Sequence, residues 1–115
     1  MRYLFLDDER FPPDTPLPWE IVRSYNEAVA YVKENGIPGF ISFDHDIQSE
    51  PENGYTFSKW LVEQDLDGTH CFPDNFDFEV HSANPVGAEN IRQYLNLYLS
   101  HRKKENEKIA RSRFR

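Results

Sequence analysis

Cysteine is nearly missing from this chain. Cys71 stands alone among 115 residues, so no intrachain disulfide can form, and a reducing cytoplasm is the expected setting. Long apolar runs are missing as well. None approaches the roughly 20 residues that span a bilayer, and the opening MRYLFLDDER turns acidic too early for a secretory leader. The glycine-built signatures of nucleotide binding and acyl transfer are absent: no P-loop, no G-x-G-x-x-G, no G-x-S-x-G. His70 and Cys71 lie in a loop without ligand spacing, which argues against zinc.

What is present is one domain's worth of sequence with a modest core, 38% hydrophobic and 15% aromatic. The net charge of −7 conceals two parts. Residues 1–99 carry six Lys/Arg and eighteen Asp/Glu, while residues 100–115 carry seven basic and two acidic side chains. The expected division is therefore an acidic α/β domain over 1–99 and a basic helical extension or tail over 100–115. The tail is either a solvated helix end or a segment that contacts RNA, which the acidic body would repel.

Hydrophobic patterning predicts four strands, at Arg2–Leu6, Trp19–Ser24, Gly39–Phe43 and Phe76–His81. Helices are expected from Tyr25 to Asn35 behind a Ser24–Glu27 capping box, over residues 54–66 after a polar loop QSEPENG, and from Pro85 behind an Asn84 N-cap. Alternating strands and helices imply a parallel sheet. The first and third strands are almost wholly apolar, as strands covered on both faces should be. The second and fourth carry Glu20, Arg23, Asp77 and Glu79, as edge strands should. The order 2-1-3-4 satisfies both, giving a small three-layer flavodoxin-like fold whose fifth strand is absent. The first connection, FPPDTPLP and its flanks, has four prolines and no room for a helix, and is short for a parallel crossover.

In such a sheet ligands bind beyond the carboxyl ends of the strands, where strand order reverses. Three polar clusters meet there by topology: Asp7-Asp8-Glu9 with Arg10, Asp44-His45-Asp46, and His81-Ser82 with Asn84. So many carboxylates side by side imply a hard cation such as Mg²⁺, raised pKa values, or side chains that point apart. Strand-end aspartates that merely cap turns are the ordinary alternative. His81 suits general acid or base chemistry, or pairing with a nearby carboxylate. His45 is either its partner or a loop residue fixed by a neighbouring aspartate. Ser82 and the helix N-terminus at Asn84 offer donors for phosphoryl oxygens. Gly54 allows close backbone approach, to a ligand or within a turn.

The segments LFLDDERFPP, ISFDHDI, NGYTFSKWL and HSANPVGAENI together resemble the cyclic-phosphate-processing Receiver-like domain family, from about residue 3 to residue 99. The wider likeness is to the receiver domains of response regulators. The resemblance implies a truncated receiver fold acting on cyclic phosphates, either RNA 2′,3′-cyclic ends or cyclic nucleotides. It matches Asp7 and Asp8 to the Mg²⁺-holding acidic pair, Asp44 to the phosphoacceptor position, and Ser82 to the hydroxyl residue ending strand four. The lysine that ends strand five in receivers has no counterpart here.

The leading expectation is thus a phosphoesterase-like enzyme. His81, Ser82, His45 and Asp44 would serve catalysis, Asn84, Arg10 and Gly54 would bind the ligand, and Asp7, Asp8, Asp44 and Asp46 would bind metal. Two rival expectations are a signalling receiver phosphorylated on Asp44 and a non-catalytic binder of a phosphorylated ligand or protein partner.

Overall fold

The computed structural model describes residues 1–47 and 52–113, with side chains described through residue 109. The expected loop QSEPENG lies partly outside these residues. The chain order is β1 (Tyr3–Leu6), β2 (Trp19–Val22), α1 (Tyr25–Asn35), β3 (Phe40–Phe43), α2 (Gly54–Asp67), β4 (Asp77–Val80) and α3 (Pro85–Arg113). All strand pairs are parallel, and the sheet order is β2-β1-β3-β4. The expected order and the flavodoxin/receiver-like α/β class both hold. Element ends differ from the sequence expectation by one or two residues, except that α3 runs unbroken into the basic segment. Among the described residues, no helix is long and apolar enough to cross a membrane.

The helices start and stop for local reasons. Ser24 Oγ accepts from the Glu27 N–H at 3.1 Å, but Glu27 answers Arg23 N–H instead of Ser24, so the expected capping box is only half built. Gly36 ends α1 with a φ of 82°, a conformation that favours glycine. A complete capping box stands instead at Asn53 and Thr56 on α2. Asn84 caps α3 by accepting from Gly87 N–H at 3.0 Å, and Pro85 is the first helical residue, as its spacing predicts.

The expected three-layer fold would have helices on both faces of the sheet. All three instead pack on one face. Leu4, Leu6, Ile41 and Phe43 meet Ala28, Val32, Phe57, Leu61, Ile91 and Leu95 in a single core. In-register pairing puts Tyr3, Phe5, Trp19, Phe40, Ser42 and Glu79 on the other face. The rings of Tyr3, Phe5, Trp19 and Phe40 form their own edge-to-face cluster there. The helix-free connection from β1 to β2 runs beside this cluster, and Thr15 Oγ1 accepts from Trp19 Nε1–H at 3.2 Å. Residues 7–18 in extended form can span about 40 Å. That easily returns past a four-residue strand, so a proline-rich strap makes the parallel crossover that a helix would make elsewhere.

Candidate functional site

The carboxyl ends of β1, β3 and β4 border a cleft of about 1050 Å³. Asp7, Asp8, Glu9, Arg10, Asp44, His45, Asp46, Glu52 and Ala83 are among the residues that line it. Parallel pairing brings the ends together: Asp44 N–H donates to Leu6 O, and His81 N–H to Phe43 O. The three polar clusters read from the sequence do converge, but they do so in unequal roles.

Asp7 is fully buried. Its Oδ1 accepts from the backbone N–H groups of Glu9 and Arg10 at 2.9 and 2.8 Å, which folds the chain sharply after β1. Its Oδ2 faces His81 Nε2 at 3.0 Å. Burial alone would push the Asp7 carboxyl up. The Arg10 and Glu9 N–H groups and then His81 outweigh it and hold the group below its ordinary value. The His81 ring lies flat on Phe5, with centroids 4.5 Å apart, and its Nδ1 meets Ser42 Oγ at 2.7 Å. Ser42 Oγ also lies 2.9 Å from Glu79 Oε1. The single hydroxyl proton goes to one of them, and Glu79, Ser42, His81 and Asp7 lie in one contiguous row of polar contacts. Both nitrogens of His81 are engaged, and it does not line the cleft.

Asp44 sits beside Asp7 and is 7% exposed. Its carboxyl is raised, first by burial and next by the negative charge of Asp7. The Ser82 hydroxyl, His81 and the Asp46 N–H oppose the rise without cancelling it. Ser82 Oγ also accepts from Asn84 N–H at 3.1 Å. Ser82 therefore holds Asp44 and the start of α3 together.

His45 occupies the cleft wall. Its Nδ1 meets Asp46 Oδ1 at 2.8 Å, and Asn84 Nδ2–H donates to the same oxygen at 3.4 Å. Asp46 is held low chiefly by the hydrogen bond from His45, against a small opposing effect of burial. A Cβ on Gly87 would come within 2.4–2.7 Å of three ring atoms of His45, so the absence of a side chain at Gly87 is what lets the imidazole rest on α3. Gly54 has a similar explanation. A Cβ there would lie 2.0 Å from the Asp44 carbonyl oxygen, and Gly54 N–H donates to His45 O at 2.9 Å. What approaches Gly54 is the chain's own backbone, not a space left for a ligand.

Arg10 lines the cleft, and its Nη1–H donates to His81 O at 3.3 Å. Arg23 stands behind it. Its Nη1–H donates to Asp7 O at 3.1 Å and to Arg10 O. Arg23, Ser42 and Glu79 are neighbours of the site that sequence pattern does not single out as such. Ser42 carried a readable signal: it is the sole polar residue inside FISF, and alternation puts it on the same face as His81.

Of the expected metal ligands, Asp7 and Asp44 come together, and His81 joins them. Ligand atoms of these three lie within 4.8 Å of one another, a cluster that could hold a metal ion. Asp8 and Asp46 line the cleft but stand outside that cluster. Two adjacent buried carboxylates, one raised by the other's charge, suit a cation.

No curated protein matches the chain. A solved chain described as a yeast Spc42 trimeric coiled-coil segment fused to another structure is similar in shape. Its TM-score is 0.54 at 17% identity, covering 92% of this chain and 83% of that one. This likeness concerns the fold alone. The model of the cyclic-phosphate processing Receiver domain matches residues 2–97, nearly the whole α/β body, and the chain belongs to that family.

Proposed function

We propose that the chain hydrolyses a cyclic phosphate in the cleft over Asp7 and Asp44, with His45 as the acid/base residue. The observation that carries this reading is the His45–Asp46 pair. It places an imidazole on the cleft wall with Nδ1 held at 2.8 Å, which leaves Nε2 for proton transfer. His81 is the acid/base residue expected from the sequence, but both of its nitrogens are already bonded, and it serves better to orient Asp7.

Water adds to phosphorus and passes a proton to His45 Nε2. One ring P–O bond breaks, and the departing ester oxygen takes that proton, giving a phosphomonoester. Asp46 keeps the imidazole in place and stabilises its charged form. The Arg10 guanidinium offers a charged donor for a non-bridging phosphoryl oxygen. Asp7 and Asp44, the latter fixed by Ser82, are the groups that would hold Mg²⁺. That ion suits carboxylate oxygens together with a phosphate, and it supplies positive charge against the charge building on phosphorus.

The test is turnover of a panel of 2′,3′-cyclic and 3′,5′-cyclic phosphates, with Mg²⁺ and with chelator. The expected result is Mg²⁺-dependent hydrolysis that His45→Ala slows by about 100-fold or more. A wild-type protein that binds the ligands without turning them over would instead make the cleft a binding site. Equal turnover by His45→Ala would remove the histidine from the chemistry.

A further inference from the structure

Of the eight described phenylalanines, Phe11 alone is exposed, and it is 77% exposed. The other rings serve the core or the aromatic face of the sheet. Phe11 does neither, and its position is specific. It follows Arg10, a cleft-lining residue. The Arg23 guanidinium stands over its ring, 4.9 Å from the centroid. That guanidinium is itself pinned to the carbonyls of Asp7 and Arg10. Pro12 and Pro13 follow at once and restrict the backbone that carries the ring. The result is an exposed aromatic surface one residue beyond the cleft-lining Arg10, with one face occupied by a cation and little conformational freedom left to lose on binding.

A phosphate needs none of this. A nucleobase does. Aromatic rings and arginine planes are the groups on which unpaired bases stack, and the interaction tolerates any base because each has a π-face. A ring one residue from the cleft-lining Arg10, under a guanidinium bonded to the Asp7 carbonyl, is tied to the same strand end as the carboxylates.

Building on the hydrolysis proposed above, we infer that Phe11, backed by Arg23, is a base-stacking subsite and that the ligand is a nucleoside cyclic phosphate. Arg23 acts as a positioning residue. It holds the ring and contributes cation–π attraction, without touching the phosphorus.

Calorimetric binding to the full chain tests this without requiring turnover. The ligands are adenosine 2′,3′-cyclic phosphate, base-free ribose 2′,3′-cyclic phosphate, and a short oligoribonucleotide ending in a 2′,3′-cyclic phosphate. Phe11→Ala should weaken the adenosine ligand by about 10- to 100-fold, with the loss confined to ligands that carry a base, and Phe11→Trp should restore binding. Tighter binding of the oligonucleotide than of the mononucleotide would identify an RNA end as the source, and equal binding a free nucleotide. The inference is overturned if Phe11→Ala binds the adenosine ligand as wild type does, or if it loses the base-free ligand equally. Phe11-dependent binding with no turnover would refute the hydrolysis and leave the subsite standing. Turnover with equal efficiency on base-free and base-bearing ligands would do the reverse.

Discussion

Gly87→Ala separates stability from chemistry. The added Cβ would lie 2.4 Å from Cγ, 2.6 Å from Cδ2 and 2.7 Å from Nδ1 of His45. Those are impossible separations, so the ring must rotate away and release its 2.8 Å bond to Asp46. On the stability side, replacing glycine by alanine in a helix gains up to about 1 kcal/mol. Losing one exposed hydrogen bond costs about the same. The net change should stay within about 1 kcal/mol, with the melting temperature within about 5 °C of wild type. On the chemical side, an imidazole turned off the cleft wall loses its acid/base function, and kcat for a cyclic phosphate should fall about 100-fold. Thermal denaturation and steady-state kinetics measure the two sides. A histidine-selective NMR spectrum should show the His45 ring resonances displaced while those of His81 stay in place. Full activity with an unmoved His45 spectrum would refute the packing argument. A loss of several kcal/mol would show that Gly87 serves the fold instead.

The contrasting substitution is Gly54→Ala, whose Cβ would lie 2.0 Å from the Asp44 carbonyl and 3.0 Å from His45 Cα. These are backbone atoms that cannot swing aside, so a loss of about 2–4 kcal/mol is expected in urea denaturation; an unchanged midpoint would contradict it. Asp7 has a lowered pKa, held down against burial by Arg10 N–H, Glu9 N–H and His81. Its stabilisation is therefore present above the unfolded carboxylate value near about 4 and lost as pH falls through the lower folded value; Asp7→Asn should flatten stability profiles in that acid range. Asp44 has the opposite sign. Its raised pKa, from burial and then Asp7, means its ionisation opposes folding, so Asp44→Asn should raise the melting temperature in chelator. The same variant should lose the stabilisation that saturating Mg²⁺ gives wild type, about 2.7 kcal/mol at 100 times the dissociation constant. Acetyl phosphate should leave Asp44 unlabelled, since among the described residues no lysine lines the cleft; intact-mass detection of a phosphoryl adduct would favour signalling.

The sheet order was readable because charge marks edges. Glu20, Asp77 and Glu79 are exposed on β2 and β4, and the apolar β1 and β3 lie between them. The one-sided helix packing was harder to read, because apolarity does not tell what covers a face. Tyr3, Phe5 and Phe40 look like core residues, yet they pack against each other, Trp19 and the His81 ring rather than under a helix. Convergence of Asp7, Asp44 and His81 followed from topology. The division of labour between the two histidines did not. It depends on side-chain direction, with His81 turned along the sheet to Ser42 and Asp7 and His45 laid on Gly87. Spacing alone carries no record of those directions.

Helix α3 begins in the cleft and ends in the basic segment. Its 29 residues correspond to about 43 Å of helix, most of the molecule's 52 Å length. Residues 100–113 thus continue the helix away from the carboxylates, and because the sequence from 100 to 115 holds seven basic against two acidic side chains, charge is separated along the chain's helix axis. In the field of a polyanion such a dipole turns its basic end forward and its cleft away. A mononucleotide bound in the cleft as proposed would sit at the opposite end of α3 from its basic residues. Only a polymer long enough to span the molecule could touch both, so the salt dependence of binding should differ between short and long ligands.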